Sequence, residues 1–296
     1  MPVASHLDGR IEYFVEGNGP PLLLLHGAGS DASLWFHHGY VEELAREFTV
    51  ITPNNRGYGG SSPVATPDHL RFELYRDDLR AVLDDADVER ALVMGYSRGG
   101  VLATLLAMEY PERIAGLVVG GGNLARNHRS RPSGRNRFGL PDPRRIDSPG
   151  QVTAAVGRRV REYILGPPPR SPSRWNLILE RLDVPRHEVW QRYVAPLADA
   201  DRAAERLTMP ALFFQGERDG AVDLRETRSL VARLPNGEFH MVPGATHALI
   251  TEPDRVLPLV VPFLRRTASA DLDFDEDASR ALASAVSPPN LGAARL

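Results

Sequence analysis

Two residue types are absent from this chain of 296 residues: it has no cysteine and no lysine, so all 35 of its basic side chains are arginines. Without cysteine it can form no disulfide, no iron–sulfur cluster, no cysteine-ligated zinc site and no thiolate nucleophile. Without lysine it has no Schiff-base amine and no P-loop lysine. Covalent chemistry is therefore restricted to Ser, Thr, His, Tyr, Asp and Glu.

Long apolar runs are absent as well. No segment approaches the roughly 20 residues that a membrane-spanning helix needs. Residues 1–10 lack the basic and then apolar pattern of a signal peptide. We therefore expect a cytoplasmic protein with no membrane partner, and the sequence does not indicate its oligomeric state.

Charge is distributed unevenly along the chain. Residues 123–205 carry 16 arginines against 9 acidic side chains, whereas residues 1–122 and 206–266 together carry 17 arginines against 24. A reversal of sign of this kind is typical of a domain boundary. We predict a core formed by 1–122 and 206–266, a mainly helical insertion over 123–205, and a flexible acidic tail over 267–296.

Short apolar runs alternate with helical patterns on both sides of this insertion. The predicted strands are 10–15, 21–25, 49–52, 91–94, 116–119, 211–214 and 238–242. The predicted helices are 74–83, 101–110, 227–233 and 256–264. This alternation predicts an α/β protein in which helices cover both faces of a mostly parallel sheet.

The strongest local motif is Gly95-Tyr96-Ser97-Arg98-Gly99-Gly100, between a predicted strand and a predicted helix. A G-x-S-x-G motif in this context is typical of a nucleophile elbow, a sharp turn that exposes the serine at the carboxyl edge of the sheet. Glycines two positions before and after the serine remove Cβ atoms that would collide in the turn. We therefore predict that Ser97 is a nucleophile.

A serine nucleophile needs a base, and the base needs an acid that orients it. His247 follows the last predicted strand, and Asp219 follows the strand at 211–214, so both belong at the same sheet edge as Ser97. The order Ser, Asp, His along the chain is the one expected of this arrangement. Glu217 and Asp223 are alternative acids close to Asp219.

The oxyanion of an acyl-transfer intermediate needs two donors. The predicted donors are the backbone N–H groups of Arg98 and Ala28, the latter in the glycine-rich segment His26-Gly27-Ala28-Gly29. We expect His26 to hold the shape of this segment by hydrogen bonding rather than to act as a base.

Together these motifs resemble the α/β-hydrolase fold superfamily, in its branch of cofactor-free serine hydrolases. The matching segments are His26-Gly27-x-Gly29, Arg56-Gly57-x-Gly59-x-Ser61, Gly95-x-Ser97-x-Gly99-Gly100, Gly216-x-x-Asp219 and Gly244-x-x-His247. The resemblance implies a sheet of roughly eight strands, a helical cap inserted after strand six over 123–205, and no cofactor or metal. Many relatives have an aspartate before the Arg-Gly segment; here Asn54-Asn55 stand there, and we expect them to support the loop.

The resemblance favours hydrolysis of a carboxylic ester, lactone or thioester of a small molecule. The alternatives are a C–C bond hydrolase, lyase or cyclase of secondary metabolism and a non-catalytic ligand-binding protein; a nucleic-acid partner is not expected. Tyr96 and Trp35 are candidate substrate contacts, since Leu34-Trp35 is similar to enol-lactonases and C–C bond hydrolases. Arg126 and Arg129, with Arg98, are candidates to attract an anionic substrate.

Overall fold

A single eight-stranded sheet organises the computed structural model, which describes residues 1–64, 69, 71–122 and 200–271. Its strands are β1 (Val3–His6), β2 (Gly9–Glu16), β3 (Pro21–Leu25), β4 (Thr49–Pro53), β5 (Ala91–Tyr96), β6 (Ile114–Gly120), β7 (Ala211–Gly216) and β8 (Gly237–Val242). They lie in the order β1-β2-β4-β3-β5-β6-β7-β8. The β1–β2 and β2–β4 pairs are antiparallel and the other pairs are parallel. The predicted fold class, α/β with a mostly parallel sheet, is confirmed.

Helices pack on both faces of this sheet. In the described part of the chain they are α1 (Ser33–His37), α2 (Tyr40–Leu44), α3 (Phe72–Asp85), α4 (Arg98–Glu109), α5 (Ala200–Arg206), α6 (Leu224–Val231) and α7 (Pro253–Asp271). Buried side chains of α3 to α6 form one apolar layer, and those of α1, α2 and α7 form the other. No helix in these ranges combines the length and apolarity that crossing a bilayer requires.

The central strands are buried on both faces, which explains their continuous apolar sequences. Every residue of β5 and β6 is buried. On β3, Leu23 and Leu25 contribute to the layer beneath α3 and α4, whereas Leu22 and Leu24 contribute to the layer beneath α1, α2 and α7. Alternate residues of a strand point to opposite faces, so one apolar run fills both layers.

Most predicted elements are present, with ends that differ by a few residues. The elements that the sequence pattern did not predict are β1 and the helices α1, α2 and α5. Each has only four to seven residues. Segments this short do not complete the repeats from which periodicity is recognised.

The helix α5, at the end of the predicted insertion, packs against the core. Residues 123–199 lie outside the described part of the chain, but α5 packs against α4. Its Ala203 is fully buried in the apolar layer, and its Arg206 Nε donates a hydrogen bond to the Met108 carbonyl oxygen at 2.8 Å. Ala203 therefore packs with the core, although the sequence assigned it to the insertion.

The last helix extends into the segment that the sequence assigned to the tail. The helix α7 continues to Asp271, and its Thr267 and Ala268 are buried. These two residues extend the apolar stripe of Val256, Val260 and Phe263 by one more turn, so tertiary packing sustains the helix beyond 266. The prediction of a flexible tail is wrong for 267–271, and 272–296 lie outside the described residues.

A buried ion pair joins the amino-terminal hairpin to the core. The fully buried Arg56 guanidinium, in the loop after β4, donates hydrogen bonds to both carboxylate oxygens of Asp78 on α3, at 2.9 and 3.0 Å. The His6 ring at the end of β1 lies 2.8 Å from the same carboxylate. The hydrogen bonds with Asp78 raise the pKa of Arg56, so the guanidinium stays charged.

Removing one partner of this pair will leave a buried charge uncompensated. We expect Arg56→Met to lower the free energy of unfolding by about 3–5 kcal/mol, because Asp78 loses its cation while remaining out of water. The matched control is Arg80→Met, which breaks an (i, i+4) pair with Asp84 at the surface and will cost less than about 1 kcal/mol. Urea denaturation at neutral pH measures both, and equal losses would contradict the assignment.

Candidate active site

Ser97 occupies a strained turn between β5 and α4. Its backbone angles are φ 55° and ψ −118°, a region that residues with a Cβ rarely adopt and that recurs at functional sites. The Ser97 N–H donates to the Gly120 carbonyl oxygen of β6 at 2.8 Å, which anchors the turn to the neighbouring strand. The sharp strand–turn–helix geometry predicted for the elbow is therefore present.

The flanking glycines permit close backbone contacts. A Cβ atom at Gly95 would lie 2.1 Å from the Gly99 carbonyl oxygen, and one at Gly99 would lie 2.0 Å from the Leu25 carbonyl oxygen at the end of β3. Both distances are far shorter than a van der Waals contact. The glycines thus allow α4 to begin directly against the ends of β3 and β5, which fixes where the Ser97 side chain projects.

Three side chains from separate loops form a continuous line of hydrogen bonds. The Ser97 Oγ lies 2.9 Å from the His247 Nε2, and the His247 Nδ1 lies 2.8 Å from the Asp219 Oδ2. The other carboxylate oxygen of Asp219 accepts from the N–H groups of Ala221 and Val222. Since a carboxylate only accepts, the histidine carries its proton on Nδ1, and Nε2 accepts from the serine hydroxyl.

The alternative acids have other contacts. The Glu217 Oε2 accepts from the Gly244 N–H at 2.7 Å, in the loop that leads to His247. The Asp223 carboxylate accepts from the N–H groups of Arg225 and Glu226, so it caps α6. Of the three carboxylates, Asp219 is the one that contacts the histidine, and its side chain is fully buried.

Tyr96 supports His247. Its hydroxyl donates to the His247 carbonyl oxygen at 2.9 Å, and its ring packs between His247 and Phe214. Burial, with the nearby Asp219 charge, raises the pKa of Tyr96 well above its usual value, so the hydroxyl remains a donor. Tyr96 thus contacts the loop that carries the histidine, and its contact with substrate stays a prediction.

Trp35 lies in the apolar layer beneath α1 and α2. It is fully buried, and its ring packs edge-on against Tyr40 with centroids 5.3 Å apart. The apolar side chains of Leu22 and Leu24 belong to the same cluster. Trp35 therefore fills the core in this structure, and its contact with substrate stays a prediction. Arg126 and Arg129 lie outside the described residues.

The loop after β3 approaches Ser97 closely and is held by His26. A Cβ atom at Gly27 would lie 3.4 Å from the Ser97 Cβ. The fully buried His26 ring donates from Nδ1 to the Gly27 carbonyl oxygen, and its Nε2 accepts from the Asn55 N–H and side-chain amide. Burial, assisted by the Arg98 charge, lowers the pKa of His26 to about 3, so the ring is neutral. Ala28 follows Gly27 directly, and its role as an oxyanion donor stays a prediction.

Arg98 is the first residue of α4 and directly follows the serine. Its backbone N–H belongs to the first turn of α4 and points toward the amino end of the helix. Its buried guanidinium lies 4.8 Å from the Tyr58 ring centroid and 5.8 Å from that of Tyr75, and it donates to the Tyr58 hydroxyl. Burial lowers the pKa of Arg98 to about 10, which leaves it cationic at neutral pH.

Sequence reasoning did not assign a role to Tyr58, although it lies within the Arg56-Gly57-Tyr58-Gly59 motif. The residue links two parts of the site, because its ring also packs against His26 with centroids 5.1 Å apart. Within the described ranges, no group of three or more His, Asp or Glu side chains is arranged to hold a metal ion.

Comparison with known proteins places the chain in a family. Residues 20–254 match the family model of the alpha/beta hydrolase fold, and the chain therefore belongs to that family. A poly(3-hydroxyalkanoate) depolymerase from Ectopseudomonas oleovorans is 28% identical over 252 residues, which are 83% of this chain and 84% of that protein.

Solved structures of the same fold superpose on most of the chain. The enol-lactonase from Burkholderia xenovorans LB400 aligns with a TM-score of 0.72 and 20% identity, over 89% of this chain and 100% of that one. A thermophilic esterase from Thermogutta terrifontis aligns with a TM-score of 0.67 and 24% identity, over 88% and 94%. At these identities the likeness establishes the fold and leaves the substrate open.

The close approach at Gly99 gives a test of the turn that is independent of activity. We expect Gly99→Ala to lower the free energy of unfolding by about 3 kcal/mol, because its Cβ would overlap the backbone of β3. Gly39→Ala is the control: Gly39 has φ 74° but no atom within 4 Å of the added Cβ, so it will cost about 1 kcal/mol of backbone strain. Denaturant titration compares the two, and a smaller loss for Gly99→Ala would contradict the geometry.

Proposed function

We propose that this protein is a serine hydrolase that cleaves a carboxylic ester, lactone or thioester through an acyl-enzyme intermediate. The observation that supports this most is the line of hydrogen bonds from Asp219 through His247 to Ser97, with the serine on a strained turn. A serine hydroxyl is a weak nucleophile until a positioned base removes its proton. The arrangement supplies that base and the acid that orients it.

In the first half of the reaction, the Ser97 Oγ attacks the carbonyl carbon while the His247 Nε2 takes the hydroxyl proton. The Asp219 carboxylate, held by two backbone N–H groups, keeps the proton on Nδ1 and stabilises the imidazolium. His247 then gives its proton to the leaving alcohol or thiol, and the acyl group stays on Ser97. For a lactone the leaving alcohol remains attached to the acyl group.

In the second half, water attacks the acyl-enzyme. His247 takes a proton from the water and returns it to the Ser97 Oγ as the acid is released, so the enzyme regains its starting state. The same positions serve both halves because the attacking water approaches from the direction of the departed group. No step requires a metal or a cofactor as a reactant.

The negative oxygen of each tetrahedral intermediate needs donors in place before the reaction. We propose that the N–H groups of Arg98 and Ala28 supply them. Arg98 begins α4, where the helix dipole is positive at its amino end, and the Ala28 amide lies beside Gly27, whose Cα faces the Ser97 side chain.

We propose a small-molecule ester as the substrate class. Among the proteins that resemble this chain, the enol-lactonase and the thermophilic esterase have names that refer to a lactone and an ester. Neither the acyl group nor the alcohol is specified by the described residues.

Ser97 is the first target for a test. We expect a fluorophosphonate to label the wild type at Ser97, located by peptide mass spectrometry, and Ser97→Ala to lose label and at least about 10⁴-fold in kcat toward a p-nitrophenyl ester. Thermal unfolding of Ser97→Ala provides the control that the variant is folded. A folded wild type that takes no label on Ser97 would contradict the proposal.

The role of Asp219 can be separated from those of its neighbours. We expect Asp219→Asn to lower kcat by about 10⁴-fold, because an amide will hold the wrong tautomer of His247. The matched control is Asp223→Asn, which changes the N-cap residue of the helix α6 and will leave kcat within a fewfold of the wild type. Steady-state hydrolysis of one ester by both variants gives the comparison. Similar losses of kcat in the two variants would show that Asp219 is not the orienting acid.

A further inference from the structure

The loop between β3 and α1 is held at both ends by consecutive asparagines. At its start, Asn55 binds the Nε2 of His26. At its end, the Asn54 Oδ1 accepts from the Ala32 N–H at 2.8 Å. Between these anchors the chain contains Gly27 and Gly29, and Gly29 has φ 73°. Glycines leave a backbone many conformations, so contacts from outside the loop must fix the one observed.

The orientation of the Asn54 amide is itself determined by a buried carboxylate. The Asn54 Nδ2 donates to the Glu12 Oε2 on β2 at 2.6 Å, and the same oxygen accepts from the Gly60 N–H at 2.8 Å. Asn54 and Glu12 are 3% and 9% exposed. One face of the amide must therefore donate, toward Glu12, and the other must accept, from Ala32. An asparagine satisfies both needs, and the reverse orientation satisfies neither.

An aspartate at position 54 would satisfy only one of them. Its carboxylate could still accept from Ala32, but its other oxygen would face the Glu12 carboxylate at hydrogen-bond distance. Two carboxylates that share a buried site cannot both ionise without a large cost, so one of them takes up a proton. The amide at this position and the carboxylate on β2 are thus complementary.

We propose that Asn54 is a positioning residue for the reaction proposed above: through the Ala32 N–H it fixes the loop that carries the Ala28 amide, and its partner Glu12 makes an amide necessary at this position. The inference depends on the proposed function, since it is the acyl-transfer oxyanion that needs the loop in place. Neither Asn54 nor Glu12 touches the reacting atoms.

Other charged and titratable groups lie near the loop that Asn54 holds. They lie around His26, the other anchor of the loop, and are Asp31 before α1, Tyr58 on the same loop as Asn54, and Arg98 on α4. With pKa values lowered by burial to about 3 and about 10, His26 and Arg98 keep their charge states across neutral pH. The ratio of a variant's rate to the wild-type rate at each pH cancels any contribution that the two proteins share, including that of His247.

The test is the pH dependence of Asn54→Asp. At about pH 6 the shared proton lets one carboxyl donate to the other, and we expect kcat close to the wild type. At about pH 8.5 the pair loses that proton, the loop shifts, and kcat will fall about tenfold, less than the 10²–10³ for removal of a whole oxyanion donor. KM will change less than twofold, because the loop acts on the transition state.

Two further variants make the test specific. Glu12→Gln alone will keep kcat near the wild type at both pH values, because a glutamine oxygen can accept from both Asn54 and Gly60. Asn54→Asp combined with Glu12→Gln contains a single carboxylate, so we expect the pH dependence of the rate ratio to disappear. The rate of this double variant will recover because the amide at position 12 can donate to the carboxylate at position 54. The recovery will be partial, because the amide group that then faces Asn54→Asp no longer accepts from the Gly60 N–H.

Each outcome decides the inference. The inference is overturned if the kcat ratio of Asn54→Asp to the wild type does not change with pH. It is also overturned if Glu12→Gln alone loses as much kcat as Asn54→Asp does. If Asn54→Asp does not fold, the double variant must recover folded, active protein; failure of both to fold also overturns the pairing. Failure of the proposed function looks different, because the wild type would then hydrolyse no ester and take no fluorophosphonate label. Thermal unfolding of the four proteins across the same pH range still reports the pairing in that case.

Discussion

The close approach of three backbone segments at the end of β5 is the constraint on which the rest of the site depends. β3, β5 and the start of α4 meet where Gly95 and Gly99 leave no room for a Cβ atom. This contact forces Ser97 into a positive φ angle. The strain is sustained because the strands on either side are fully buried and hydrogen-bonded to their neighbours. If these three segments were farther apart, the turn could relax and the Ser97 hydroxyl would no longer point in one direction.

The parallel arrangement of β5, β6, β7 and β8 explains how distant residues meet at that hydroxyl. Parallel strands end at a common edge, so the loops after β5, β7 and β8 emerge side by side, although Ser97, Asp219 and His247 are far apart in the sequence. The loop that carries His247 is fastened twice, by the Tyr96 hydroxyl to its carbonyl oxygen and by Glu217 to the Gly244 N–H. The base is thus positioned by contacts of its own backbone as well as by Asp219.

The sequence predicted the sheet and the three central side chains because each depends on local chemistry. Apolar runs identify buried strands, and the glycines around Ser97 identify a turn that other residues cannot adopt. The core contacts of Trp35 and Tyr96 were not predicted, because an aromatic residue packs equally well in a core or against a ligand and its neighbours in the fold decide which. The sequence pattern predicted an earlier end for the helix α7, because the small residues that extend it are also typical of a flexible tail. Contacts such as that of Asp78 with Arg56 join segments whose proximity only the fold reveals.

The residues around the loop after β3 illustrate why a motif position is understood only with its partner. Asn54, taken alone, is a departure from the aspartate that many α/β-hydrolase relatives have before the Arg-Gly segment. Together with Glu12 it is a balanced pair, in which one side chain supplies the negative charge and the other the donor. Glu12 lies on a different strand, and its sequence neighbours give no sign of the contact. The free energy of a buried polar group depends on its whole hydrogen-bonding environment, so substitutions at such positions are constrained in pairs.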